Sequence, residues 1–154
     1  MKRFFFLFIC IFPFISTTHS LGMGPAAITG LWWNQEKSAQ IEIYELTGRI
    51  YGKIVSLKEP VYPVDDSLGM AGRPKIDRNN PDPLKRKRPL LGLLILDAFH
   101  RTGDRTWEDG FIYDPKNGKT YRCIMTLDTA DTLFVRGFIG FSLLGRTATW
   151  TRVK

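Results

Sequence analysis

Carboxylates set among large aromatic residues are the groups of this sequence best placed to do chemistry. In W-E-D-G-F-I-Y-D, from Trp107, the residues Trp107, Asp109, Phe111 and Tyr113 share one alternating parity, and Asp97 shares parity with Leu93, Ile95 and Phe99. A carboxylate carried among apolar side chains is costly unless paired, and Arg136 and Arg146 are the partners on offer. Facing an interior, such pairs would make a polar spot in an aromatic cavity, the arrangement that orients a small ligand. Facing a rim, they would be solvated salt bridges. Trp107, Asp109, Phe111, Tyr113, Asp97, Arg136 and Arg146 are therefore the expected ligand-binding residues. Two carboxylates also meet the minimum for acid–base hydrolysis, but the sequence gives no separation between them.

Other chemistry is thinly supplied. His100 is the one histidine beyond the first 20 residues, which excludes a multi-histidine zinc site and leaves a triad one possible base. It is expected as a solvated residue near a strand end. Cys123 has the parity of Tyr121, Met125 and Leu127 and reads as a small buried apolar residue rather than a nucleophile. Asp77, Asn79 and Asp82 offer oxygens on one segment, yet their spacing is not that of a helix-loop-helix calcium site, and Arg88 stands where the closing acid belongs. These acids are expected in a solvated turn or helix cap. No metal, cofactor or catalytic activity is expected. The run Lys85, Arg86, Lys87, Arg88 favours anionic partners such as polyanionic glycans or lipid head groups, unless it is only a solvated loop. Nucleic acid is not expected, because the run lacks interleaved aromatic residues and the chain reads as exported.

Export follows from the amino terminus. Lys2-Arg3, twelve mostly apolar residues from Phe4 to Ile15, and the small and polar residues Ser16 to Ser20 form a secretory leader too short to span a bilayer. Thr18 and Ser20 place the cut after Ser20, with Gly22 as the alternative. Cys10 as a lipidated cysteine is the competing reading, although Ile9 stands where a small residue is wanted. The net charge of +7 becomes +5 without Lys2 and Arg3, and Cys123 then stands alone, so a hydrophobic core must hold the fold without a disulfide. The rest, residues 21–154, has the length and the apolar content, 44% over the whole chain, for one domain.

The elements that must position these groups read as strands. Alternating runs occur at Gly30–Asn34, Ala39–Glu45, Arg49–Leu57, Trp107–Asp114, Tyr121–Leu127, Thr132–Ile139 and Arg146–Val153. Leu90–Phe99 is apolar on both faces and reads as a covered strand, with a helix as the alternative. Asp114-Pro115 and Asn117-Gly118 form a strong hairpin turn, and Gly52 marks a bend. Lys58–Pro89 loses periodicity and holds six of the nine prolines, as a lid or binding loop would, with room for one helical turn over Asn80–Arg86. These features predict an all-β fold, an antiparallel up-and-down barrel of about eight strands with one long Pro-rich loop.

Three blocks carry a resemblance: N-P-D-P-L-K-R-K-R-P-L-L-G-L from Asn80, W-E-D-G-F-I-Y-D-P-K-N-G-K-T-Y from Trp107, and L-F-V-R-G-F-I-G-F-S-L-L-G-R-T-A-T-W-T-R from Leu133. In this order they resemble a secreted bacterial family known as domain of unknown function 2147. The resemblance implies a lipocalin-like barrel in the cell envelope. It further implies that Gly30-Leu31-Trp32 is the Gly-x-Trp of the first strand, with Arg152 or Arg146 of the last strand over the indole, so that Gly30, Trp32, Trp150 and Arg152 close the barrel. The expected function is that of a periplasmic or secreted binding protein for a small amphipathic or apolar ligand, without an integral membrane span. The alternative is an envelope protein that holds an anionic glycan or a protein partner through the basic loop.

Overall fold

The computed structural model describes residues 27–141 and 143–154, so the expected leader over residues 1–20, with Cys10, lies outside the described residues. Eight strands follow in order: β1 (Gly30–Trp33), β2 (Ala39–Leu46), β3 (Arg49–Leu57), β4 (Leu94–Arg101), β5 (Thr106–Asp114), β6 (Lys119–Thr129), β7 (Thr132–Phe138) and β8 (Gly145–Arg152). Each pairs antiparallel with the next, and β1 returns to β8 with Trp32 opposite Arg152, giving the closed up-and-down barrel that the alternating runs predict. Closure satisfies the backbone donors and acceptors that an open sheet would leave at its edges.

Alternation decides which side chains fill the barrel. Ile41 and Ile43 of β2, Phe99 of β4, Trp107 of β5, Met125 and Leu127 of β6, Leu133 and Val135 of β7 and Trp150 of β8 are all buried together with Trp32. The interior is packed with large side chains. The apolar run Leu90–Phe99 divides: only its second half is strand, while Leu90 to Leu93 bring the long loop back, with Leu93 N–H donating to the Leu90 carbonyl and Gly92 N–H to that of Ile54. The helical alternative is not adopted.

In an up-and-down barrel the connections alternate between ends. Those from β1 to β2, β3 to β4, β5 to β6 and β7 to β8 share one end, here called the mouth, and residues 27–29 lie with the three short turns at the other, closed end. The β3–β4 connection, residues 58–93, contains one 3-10 turn, Pro83–Lys85, capped by Asp82, whose carboxylate accepts from Leu84 N–H at 3.0 Å. The cap expected of Asp82 is therefore present.

Two bulges overturn the expected inward face. Trp107 pairs with Met125 and Gly110 with Cys123, so β5 takes three steps where β6 takes two, and the extra step is absorbed at Asp109, with φ 58°. Beside it, Ala98 of β4 has φ 59°, which lets Leu96 and Phe99 both point inward. Gly110 makes this possible, because a Cβ there would collide with the Phe99 ring. Trp107 faces the interior as expected, but Asp109 and Phe111 face outward, 66% and 45% exposed, and Asp97 is exposed as well. A strict two-residue period cannot foresee a residue that takes a left-handed conformation in mid-strand.

Candidate functional site

The outward shift gathers the displaced residues on the wall formed by β4 to β7. Asp97 is the register partner of Phe111, Phe111 of Arg122, and Arg122 of Phe138, so a carboxylate, an aromatic ring, a cation and a second ring follow one another across four strands. The Arg122 guanidinium lies 5.9 Å from the Phe138 ring centre and 3.9 Å from the Asp109 carboxylate. Two grooves flank this row. One, of about 370 Å³, is lined by Leu94, Ile95, Asp97, Phe111, Tyr113 and Thr120. The other, of about 270 Å³, includes Asp109, Arg122, Ile124, Phe138 and Phe141.

Tyr113 ties this wall to the long loop. Its hydroxyl donates to Asp77 Oδ1 at 2.5 Å, while Asn80 Nδ2 and Arg88 Nη2 each donate to Asp77 Oδ2 at 2.8 Å. Asn80 also donates to the Tyr113 hydroxyl at 3.0 Å, and Asp77 N–H donates to the Arg88 carbonyl. Burial, and then the hydrogen bond to the Asp77 carboxylate, push the Tyr113 phenol up to about 12. Asp77 is fully buried, which corrects the expectation of a solvated turn. Its burial is supported by three side-chain donors, the usual condition for keeping a carboxylate away from water. A second brace lies nearby: Arg78 donates to Asp66 at 2.7 Å and holds that carboxyl below its usual range, while Asp66 also accepts from the backbone of Leu68 and Met70.

These contacts divide the basic run. Arg88 pairs with Asp77, Arg86 Nε donates to the Asn80 carbonyl at 2.7 Å, and Lys85 lies 3.4 Å from its turn partner Asp82, while Lys87 is exposed. Two of the four cations thus shape the loop. Asn79 Nδ2 donates to the Pro115 and Lys116 carbonyls, fastening the loop to the β5–β6 hairpin.

The remaining expected residues fall elsewhere. Arg136 faces outward, donating to Thr147 Oγ1 at 3.0 Å and to the Leu143 carbonyl, and Arg146 lies exposed at the start of β8. Neither is the partner of Asp109, whose cation is Arg122, a residue the parity reading did not single out. Trp107 is buried in the interior, and its indole N–H has no hydrogen-bond partner among the described residues. At the closed end, Arg152 lies over the Trp32 ring at 4.2 Å and donates to the carbonyls of Ala27, Thr29 and Ala130. Trp32 Nε1 donates to the Ile28 carbonyl, and Trp150 is buried nearby in the same core. Gly30 leaves room for the stack, since a Cβ there would lie 2.9 Å from Arg152 Nη1. His100 is exposed on β4 whereas Cys123 is buried, its thiol pushed up to about 12 by burial, so the two offer no nucleophilic pair. Among the described residues no group of three or more histidine, cysteine or acidic side chains is placed to hold a metal, and no helix is long and apolar enough to cross a membrane.

The closed eight-stranded barrel, with its Gly-x-Trp strand and stacked arginine, is lipocalin-like, an architecture associated with ligand binding. The chain belongs to the family described as "Uncharacterized protein conserved in bacteria (DUF2147)", which it matches over residues 30–152. Among solved structures it is similar to one described as "Protein HP1028 from the human pathogen Helicobacter pylori belongs to the lipocalin family", with 27% identity, a TM-score of 0.68 and 82% of each chain covered. No curated protein matches it.

Proposed function

We propose that this chain is an exported binding protein that holds a small amphipathic ligand against the outer wall of β4 to β7 rather than inside the barrel. The observation that carries the reading is the contrast between a packed interior and an outer groove with Leu94, Ile95 and Phe111 for an apolar body and Asp97 for a polar head. Its volume falls within the roughly 300–1,000 Å³ of small-molecule sites. An exposed carboxylate favours a head group that donates hydrogen bonds or carries positive charge. Export to the envelope is supported by the charged start, short apolar segment and small-residue exit of residues 1–20.

Native mass spectrometry of the protein purified from its own envelope should reveal a co-purifying small molecule, and that molecule should bind Phe111→Asp at least about tenfold more weakly, the equivalent of losing part of one buried apolar contact. In methyl NMR, added ligand should shift Leu94 and Ile95. Shifts confined to Met125, Leu127 and Leu133 would instead place the ligand in the interior beside Trp107 and overturn the outer-wall reading.

A further inference from the structure

The mouth carries an unusual pairing of exposed apolar side chains with basic charge. In the β7–β8 loop, Ile139, Phe141, Leu143 and Leu144 are 67–88% exposed, although the loop is braced by Arg136 on the Leu143 carbonyl and by Leu144 N–H on that of Phe141. The long loop, whose two ends leave the barrel at the mouth, carries Val64, Leu68 and Leu84, which are 67–95% exposed. Residues 58–93 hold eight basic and five acidic residues, and the β5–β6 turn adds Lys116, whereas the closed-end turns supply Asp104, Arg105 and Asp131. The two ends of the barrel therefore differ in both charge and exposed apolar surface.

We propose that the mouth docks on an anionic lipid bilayer, with the β7–β8 tip and Leu84 entering the interfacial layer and Lys85 and Lys87 beside the lipid head groups. Large apolar side chains held in water are unfavourable, and exposed clusters of them mark interaction surfaces. These side chains project from separate loops. A protein partner would need a matching set of pockets, whereas the fluid boundary of a bilayer accepts individual protruding chains without a preformed complement. The neighbouring cations add attraction to anionic lipids and suit this partner over an uncharged surface. The inference requires no small molecule, and Phe141, which also lines the smaller outer groove, is the one residue it shares with the two grooves of the outer wall.

The test is flotation of the protein, as released by its own export, with vesicles of phosphatidylglycerol and phosphatidylethanolamine or of phosphatidylcholine alone. The protein should float with the anionic vesicles and dissociate as salt is raised. Phe141→Ser/Leu143→Ser and Lys85→Ala/Lys87→Ala should each bind at least about tenfold more weakly with an unchanged Tm. All variants share one amino terminus, so the comparison isolates the mouth. Phe141→Trp provides a second readout, a blue shift of the added emission on anionic vesicles. Failure of the wild type to float, full binding by both double variants, or no shift in the emission added by Phe141→Trp would overturn the proposal.

Discussion

The two ends of this barrel are held by different chemistry. At the closed end one large indole is buried, its N–H is satisfied by the Ile28 carbonyl, and Arg152 covers it while binding three carbonyls. At the mouth a carboxylate takes the central position: Asp77 gathers Tyr113, Asn80 and Arg88 and fastens 36 residues of irregular chain to the outer wall. The first arrangement joins strand to strand, so the fold depends on it. The second joins a loop to a finished wall, so its loss is expected to free the loop and leave the barrel in place. A buried indole under a hydrogen-bonded arginine thus joins the strands where the chain closes, and a buried carboxylate organises the loop at the other end.

The largest expected effect lies at the closed end. Trp32→Ala should cost about 3–5 kcal/mol by removing a fully buried indole, lowering Tm on the order of 10 °C in cooperative thermal unfolding. A small change in Tm would show that the barrel closes without its Trp–Arg stack and would remove the distinction between the ends.

The closed end was legible through the family resemblance, which points to Gly30-Leu31-Trp32 in one strand and Arg152 or Arg146 in another, and it is Arg152 that lies over the indole. The eight strands and the hairpin at Asn117-Gly118 were readable from the residues themselves, because alternation and turn chemistry are local. The wall was only half legible. Parity in two separate runs put Asp97 from one and Asp109, Phe111 and Tyr113 from the other into a single inward-facing site, and Asp97, Phe111 and Tyr113 do line one groove, but outside the barrel. Left-handed backbone at Ala98 and Asp109 reversed the parity, and neither residue type requires that conformation. The mouth was least legible. The expectation of a solvated Asp77 failed because its main partner, Tyr113, is 36 residues away, and nothing in the spacing links a loop acid to an outward tyrosine. Gly110 offered the one available signal, a residue without a side chain in the middle of an aromatic strand, where Phe99 needs the space.

A smaller effect should separate the two ends in kind. Asp77→Ala removes the common acceptor of three donors, a loss of about 2–3 kcal/mol if the loop stays in place. Release of the loop would limit even that, because Tyr113, Asn80 and Arg88 could then reach water. Limited trypsin digestion should therefore become faster after Arg78, Lys85, Arg86 and Lys87 while the barrel fragments stay associated and folded. Global unfolding like that expected of Trp32→Ala would mean that the mouth network is part of the barrel's cooperative unit, and the contrast would be lost.

The smallest expected effect is the alkaline response of Tyr113. Burial and the Asp77 carboxylate raise its phenol from 10.0 to about 12, so the folded protein retains this proton after the unfolded chain has lost it. The corresponding stability is fully present below about pH 10 and disappears as pH climbs towards 12, where the phenolate would face a carboxylate. Cys123, also raised to about 12, contributes in the same direction, but equally in wild type and Tyr113→Phe, so it cancels in their difference. Tyr113 is partly exposed, and solvent screening keeps its share modest. Denaturant titrations at about pH 9 and about pH 11 should show wild type losing more stability than Tyr113→Phe, with trypsin cutting the wild-type loop faster at the higher pH. Parallel losses in the two proteins would mean that Tyr113 ionises as freely when folded as when unfolded. Asp77 would then not be the acceptor that holds the loop to the wall.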